Sequence, residues 1–347
     1  MKKQDEIAIF IVVLVAVIST LFFFVSRQGE EIAVQKSFKI GVSTYDSSDT
    51  FISYIMSNLE QEVKAYEKQT GFKIDLDISA AEGNQRIQNE KIERYIDLDY
   101  DVLCINLVDR TDTIEIISAA LEIGIPILFF NREPAPEDIE NYENFYYLGV
   151  DSYESALLQS ELISTYWKEN KEIIDKNGDG ILDYVMLEGE TGHQDTILRS
   201  RFVIEQLNQN EIPTNKIDSK IANWNRSQAY AITDTWYRTY GNEIEMIICN
   251  NDDMALGAVD ALKLLEEEQG AVSCIPIVGI DATQVALESI EKGELIGTVD
   301  AGATGYAKGI MTWAMQKAGR DDYESELKIT DQKYINVPMK IVYSPDF

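Results

Sequence analysis

EMIICNNDDMALGAVDALKLLEEEQGAVSCIPIVGID, residues 245–281, decides the fold. An apolar run of strand length, EMIICN, is followed by a helical stretch over 253–268 and then by a second apolar run, IPIVGID. A strand, a helix and a second strand in this order return the chain parallel to its start, because a crossover of that length is what a parallel pair requires. Each run closes on polar residues, Asn251 after the first and Asp281 after the second. Open parallel α/β sheets bind ligands beyond the carboxyl ends of their strands, so these two positions are candidate binding residues.

The same alternation extends outward in both directions. Upstream, FKIGVSTY reads as a strand, followed by a helix over 51–69, FKIDLDIS, a helix over 84–97, DVLCINLV, a helix over 112–122 and IPILFFN. A second series starts after YYLGVD at 146–151, with helices over 152–169, 194–208 and 227–239 between ILDYVMLEG, KIDSKIAN and the quoted unit. A helix over 283–291, the segment ELIGTVD, a helix over 306–317 and YINVPMKIVY, read as one last strand, complete the chain. Strands separated by helices imply right-handed crossovers, and 347 residues exceed what a single core usually holds. The fold class is therefore α/β, with two Rossmann-like, doubly wound parallel-sheet lobes. Asp49 and Asn131 stand at strand ends in the first series as Asn251 and Asp281 do in the second.

Composition narrows the function. The formal net charge of −30, from 60 acidic and 30 basic residues, repels a phosphate backbone and argues against nucleic-acid binding. Cys104, Cys249 and Cys274 lie in apolar stretches at spacings that suit neither a zinc site nor a redox pair, and are read as core residues. Residues 7–25, IAIFIVVLVAVISTLFFFV, carry no charge over a length that spans a bilayer as a helix. Lys2 and Lys3 place the preceding end in the cytoplasm and the rest outside. A retained membrane anchor with residues 26–37 as spacer is expected; a cleaved signal, leaving a secreted or periplasmic protein, is the alternative.

DKNGDGILD, residues 175–183, has the spacing of a calcium loop. Asp175, Asn177, Asp179 and Asp183 supply alternating oxygen donors, Gly180 permits the tight turn, and Ile181 offers its carbonyl. Met186 stands where the usual closing carboxylate would be, so a remote acid must complete the shell. An Asx-rich surface turn held by its own hydrogen bonds is the other reading.

The segments YDSSDTF, FFNREP, EGETGHQDTILR, ANWN, CNND and GID together offer carboxylates, amides, an arginine fork and aromatic faces. Such groups suit a hexose, with hydroxyls around its rim and C–H groups on its faces. From about residue 38 to 343 the chain resembles the periplasmic galactose/glucose-binding proteins of the type I solute-binding superfamily. CINLVD, PILFFNREP, GHQD, the Asp-rich loop, CNNDDMALGAVDALK and PIVGIDAT carry that resemblance.

The resemblance implies two lobes joined by a three-segment hinge: residues 38–149 with 302–336, and residues 150–301 with 337–347. It implies closure on a monosaccharide, and Ca2+ in the second lobe. It also implies a monomeric ectodomain that delivers sugar to an ABC permease or reports it to a histidine kinase or chemoreceptor. Asp49, Asn131, His193, Asp195, Arg199, Asn251 and Asp281 correspond to the family's hydroxyl ligands, and Phe51 and Trp224 to its stacking aromatics. Glu245 corresponds to the remote calcium carboxylate. Arg132 is expected either at the cleft rim or in solvent, and Tyr45 near the cleft.

One position departs from the pattern. Ala301 stands in GTVDAGATG where the family usually has asparagine, so Asp300 turns into the cleft, a water bridges, or the preferred sugar differs. A glycosidase needs two acids placed across a bond, which the sequence does not display. A sugar-responsive DNA regulator needs a basic headpiece, and a dinucleotide enzyme needs a G-x-G-x-x-G after the first strand, where IGVSTYDSSD stands. A non-enzymatic receptor is expected.

Overall fold

A computed structural model of the chain describes residues 37–270, 275–330 and 333–344. The expected anchor at 7–25 and Cys274 lie outside them. Among the described residues no helix is long and apolar enough to cross a membrane.

Two six-stranded sheets organise the rest. The first is ordered β11 (Tyr334–Asn336), β5 (Phe145–Gly149), β4 (Ile127–Phe130), β3 (Val102–Ile105), β1 (Phe38–Thr44), β2 (Ile74–Ala80). The second is ordered β12 (Lys340–Tyr343), β10 (Gly297–Asp300), β9 (Ile277–Val278), β8 (Met246–Cys249), β6 (Leu182–Glu188), β7 (Thr214–Ile221). The pairs β1–β3, β3–β4, β4–β5 and β5–β11 are parallel, as are β6–β7, β6–β8, β8–β9 and β9–β10; β12 runs antiparallel to β10. This is the α/β architecture that the alternating pattern predicts.

The central strands are apolar on both faces because helices cover both. VLCI, ILFF and MIIC in β3, β4 and β8 are wholly buried. The helices are α1 (Thr50–Thr70), α2 (Gln85–Asp97), α3 (Ile114–Ile123), α4 (Glu137–Glu140), α5 (Ser152–Ile174), α6 (Gln194–Gln209), α7 (Arg226–Tyr240), α8 (Asp252–Gln269), α9 (Gln284–Glu291) and α10 (Ala303–Lys317). The predicted 152–169 helix runs on through a kink at Asn170. Cys104 and Cys249 are buried free thiols in their strands, as read from the apolar context.

Both sheets repeat one topology, and that repetition positions the site. The order β2-β1-β3-β4-β5 matches β7-β6-β8-β9-β10, so the winding reverses between β1 and β3 and again between β6 and β8. The loops leaving these strands diverge and open a crevice at each switch point.

The chain crosses between sheets near residues 150, 301 and 338. The last crossing corrects the sequence reading. YINVPMKIVY is two strands in different sheets, because Pro338 lacks the N–H that a continuous ladder needs. The crossings lie against one another: Val337 N donates to Gly149 O at 2.9 Å, and a Cβ on Gly302 would lie 2.4 Å from Val337 Cγ1.

Candidate functional site

The cleft is assembled largely from helix caps. Asp49 ends the loop after β1 and caps α1, its Oδ1 accepting from Ile52 N at 2.9 Å. Asn251 follows β8 and caps α8 through Oδ1, which accepts from Met254 N at 3.0 Å. His193 caps α6, its Nδ1 accepting from Asp195 N at 3.2 Å. Each cap uses one polar atom on its helix, and the second is not needed for capping; that of Asp49 accepts from the Tyr45 hydroxyl. Capping and ligand roles are thus compatible for these residues.

Backbone strain is concentrated here as well. Asn131 (φ 62°), Asn223 (φ 50°), Trp224 (φ 60°), Asp281 (φ 129°) and Ala282 (φ 53°) occupy the left-handed side of φ/ψ space without being glycine. Each such residue costs about 1–3 kcal/mol, a cost typical of binding sites.

All of the cleft residues read from the sequence line one cavity: Asp49, Phe51 and Asn131 from the first lobe, and His193, Asp195, Arg199, Trp224, Asn251 and Asp281 from the second. The space, counted with its mouth, is about 440 Å3. Asp195 and Arg199 form a buried pair at 2.8 Å, rather than an exposed one. Ser152 Oγ donates to the other Asp195 oxygen at 2.6 Å, and an Arg199 terminal nitrogen donates to Asn250 O at 2.9 Å. Arg199 Nε is buried without a partner. Asp281 is 5% exposed and lines the same cavity. Phe51 meets Tyr306 edge to face at 5.8 Å, and His193 meets Trp224 at 5.2 Å.

Sequence reasoning missed Tyr306 and left Arg132 and Tyr45 without a settled role. Tyr306, in the first turn of α10, lines the cavity and is fully buried. Arg132 is not solvated. It is 6% exposed, lies 3.6 Å over the Tyr45 ring and donates to Val108 O and to Glu190 in the other lobe. Tyr45 in turn donates to Asp49 Oδ2 at 2.6 Å. Side-chain links among the described residues join the lobes directly: Thr50 Oγ1 to Asp253 at 2.6 Å, Arg132 to Glu190 at 2.7 Å, and Arg110 to Gln194 at 3.0 Å. Ala301 lines the cleft, but Asp300 does not turn into it. Asp300 Oδ1 accepts from Gly302 N at 2.8 Å and its other oxygen faces Lys340 at 3.7 Å.

Electrostatics set the ionisation of these groups. Burial opposes the charge on Asp195, but Arg199, His193 and the Ser152 hydrogen bond outweigh it and hold its pKa below the usual carboxylate range. Burial raises Asp281 well above that range; Arg199 opposes this, while Asp252, Asp49 and Asp253 add to it. Burial lowers His193 to about 4, against the attraction of Asp195. Neutral His193 keeps an Nε2–H to donate.

The histidine shift carries a sign. The unfolded chain binds the proton from about 6.5 and the folded one from about 4, so this group's contribution is complete above 6.5 and lost as pH falls through that window. Chemical denaturation of wild type and His193→Gln at pH 7 and pH 4.5 is expected to show a smaller acid loss in the variant; equal losses in both refute the assignment.

The acidic loop is closed on itself. Asn177 Oδ1 accepts from Asp179 N, Asp179 Oδ1 from Ile181 N and Asp175 Oδ2 from Gly180 N. Glu245, 1% exposed, accepts from Lys176 N and Asp183 N with its two oxygens, which ties the loop to β8. Burial raises the Glu245 pKa, backbone donors oppose this, and Asp183 and Asp175 add to it. Asp175 Oδ1 is buried without a partner. Among the described residues no group of three or more His, Cys, Asp or Glu side chains is gathered as a ready metal site.

Residues 40–321 match the periplasmic binding protein domain family. The chain belongs to that family. The D-galactose/methyl-galactoside binding periplasmic protein of Haemophilus influenzae is 36% identical over 285 residues, which are 82% of each chain. Two periplasmic-binding-protein-fold structures follow the same path. A Bacillus halodurans ABC transporter solute binding protein holding myo-inositol has TM-score 0.69 and 24% identity, over 90% of this chain and 96% of its own. One from Actinobacillus succinogenes holding D-allose has TM-score 0.71 and 20% identity, over 89% and 98%. The periplasmic binding protein fold explains why the crevices at the two switch points open onto one cavity.

Proposed function

We propose that the chain is an extracytoplasmic receptor that closes on one uncharged monosaccharide of the D-galactose or D-glucose type and passes it to an ABC importer without chemical change. The observation that supports this most strongly is the unspent hydrogen bonding of the cleft. A buried, unpartnered Arg199 Nε and the buried Asp281 side chain belong to one cavity lined also by aromatic side chains. Positive and negative groups are interleaved there, so a ligand rich in both donors and acceptors, and without net charge, satisfies them best. The relationship to the D-galactose/methyl-galactoside binding protein favours a hexose. Each ligand hydrogen bond contributes about 0.5–1.5 kcal/mol net. Only the closed arrangement contacts the sugar from both lobes, so binding shifts the lobes toward closure.

Calorimetric titration of D-galactose, D-glucose, D-xylose and D-ribose tests the reading. Saturable heat with at least one hexose is expected; silence with both hexoses overturns it. Residues 1–37 tether the receptor at the membrane in this reading. Their removal is expected to abolish sugar uptake by cells while purified protein still binds.

Calcium belongs to the same proposal. The all-oxygen donor set of Asp175, Asn177, Asp179, Ile181 carbonyl, Asp183 and Glu245 suits a hard cation, and the unpartnered Asp175 oxygen fits one. The ion's chemistry would be purely structural, neutralising the crowded carboxylates beside β6 and β8. EDTA is expected to lower Tm by roughly 5 °C, from about 2 kcal/mol of linkage, and added Ca2+ to restore it. The order of preferred sugars is expected to stay the same. No change in Tm refutes the calcium site.

A further inference from the structure

The cleft is chemically lopsided. One side carries the polar groups of the second lobe, His193, Asp195, Arg199, Asn251 and Asp281. The crossing segments contribute Val150 and Ala301, and Phe51, Ile52 and Tyr306 line the same cavity. Ala301 is 1% exposed and has no polar side-chain atom. Asp300, the nearest carboxylate in sequence, is held by Gly302 N and faces Lys340. Val150 and Ala301 thus offer a ligand no polar side-chain atom.

A hydroxyl pressed against this wall gives up its water and gains no side-chain partner. A C–H or methyl group in its place is buried favourably. Resting on the receptor reading above, we propose that the Ala301 wall selects a hexose lacking one hydroxyl, a monodeoxy sugar, with the deoxygenated position against Val150 and Ala301. The opposite wall behaves conversely. There, a missing hydroxyl leaves Asp195, Arg199 or Asp281 unpaired, and such sites reject deoxygenated analogues strongly. Selectivity is therefore set by where oxygen is absent as much as by where it is present.

Calorimetry of the full chain with D-galactose, D-glucose and the complete monodeoxy series of each provides the test. One monodeoxy sugar is expected to bind at least as tightly as its parent, while the others lose about tenfold or more. Ala301→Asn and the smaller Ala301→Ser, each checked by thermal unfolding, are expected to shift that favoured ratio about tenfold back toward the parent. If every monodeoxy analogue binds at least tenfold more weakly than its parent, the proposal fails while the receptor reading stands. An unchanged ratio in a folded Ala301→Ser protein also overturns it. Silence with every sugar removes the receptor reading, and this proposal with it.

Discussion

Arg199→Met is expected to abolish measurable sugar binding and to destabilise the protein by about 3–5 kcal/mol, read by calorimetry and urea denaturation. The magnitude follows from what is left behind. Asp195 is 8% exposed, and without the guanidinium at 2.8 Å the Ser152 hydroxyl is its remaining direct side-chain partner among the described residues. Asn250 O loses a donor in the same step. The double variant Asp195→Asn, Arg199→Met separates stability from recognition. Asparagine still accepts from Ser152 and needs no counter-charge, so most of the stability returns while binding does not. A single variant that binds normally removes Arg199 from the site. A double variant as unstable as the single one shows that the loss is packing rather than stranded charge.

Gly189→Ala has the next largest expected effect. A Cβ there would lie 2.1 Å from the Trp224 indole, closer than any atoms pack, so the ring must move. Trp224 already occupies a costly backbone conformation, and its position is held by this close approach and by His193 at its edge. Sugar affinity is expected to fall by about two orders of magnitude, against a stability cost of about 1–3 kcal/mol. Titration beside a denaturation curve measures both. Unchanged affinity shows that the indole does not contribute to recognition.

Much of this architecture was legible in the chain, and for a physical reason. Strands buried on both faces must be apolar runs such as VLCI and ILFF, and the helices between them must carry a single buried stripe. Their carboxyl ends mark the binding edge whatever the ligand, so Asp49, Asn131, Asn251 and Asp281 stood out by position alone. The resemblance to the galactose/glucose-binding proteins added His193, Asp195, Arg199 and Trp224, which periodicity does not reveal. Arg132 stayed open between cleft rim and solvent because its burial depends on a stack against Tyr45, far away in sequence. Tyr306 belongs to a helix that the resemblance assigns to the first lobe, but its place in the cleft depends on contact with Phe51, far away in sequence. Gly189 looks like any loop glycine until Trp224 lies against it. YINVPMKIVY misled because its apolar pattern continues through Pro338, although the hydrogen-bond ladder cannot.

The links Thr50–Asp253, Arg132–Glu190 and Arg110–Gln194 bear on how a guest departs. They join protein to protein, so they must part whichever molecule is inside, and the energy for parting them owes nothing to the occupant. Escape therefore has a ceiling rate common to all guests. Among weakly held sugars, escape rates should converge on that ceiling.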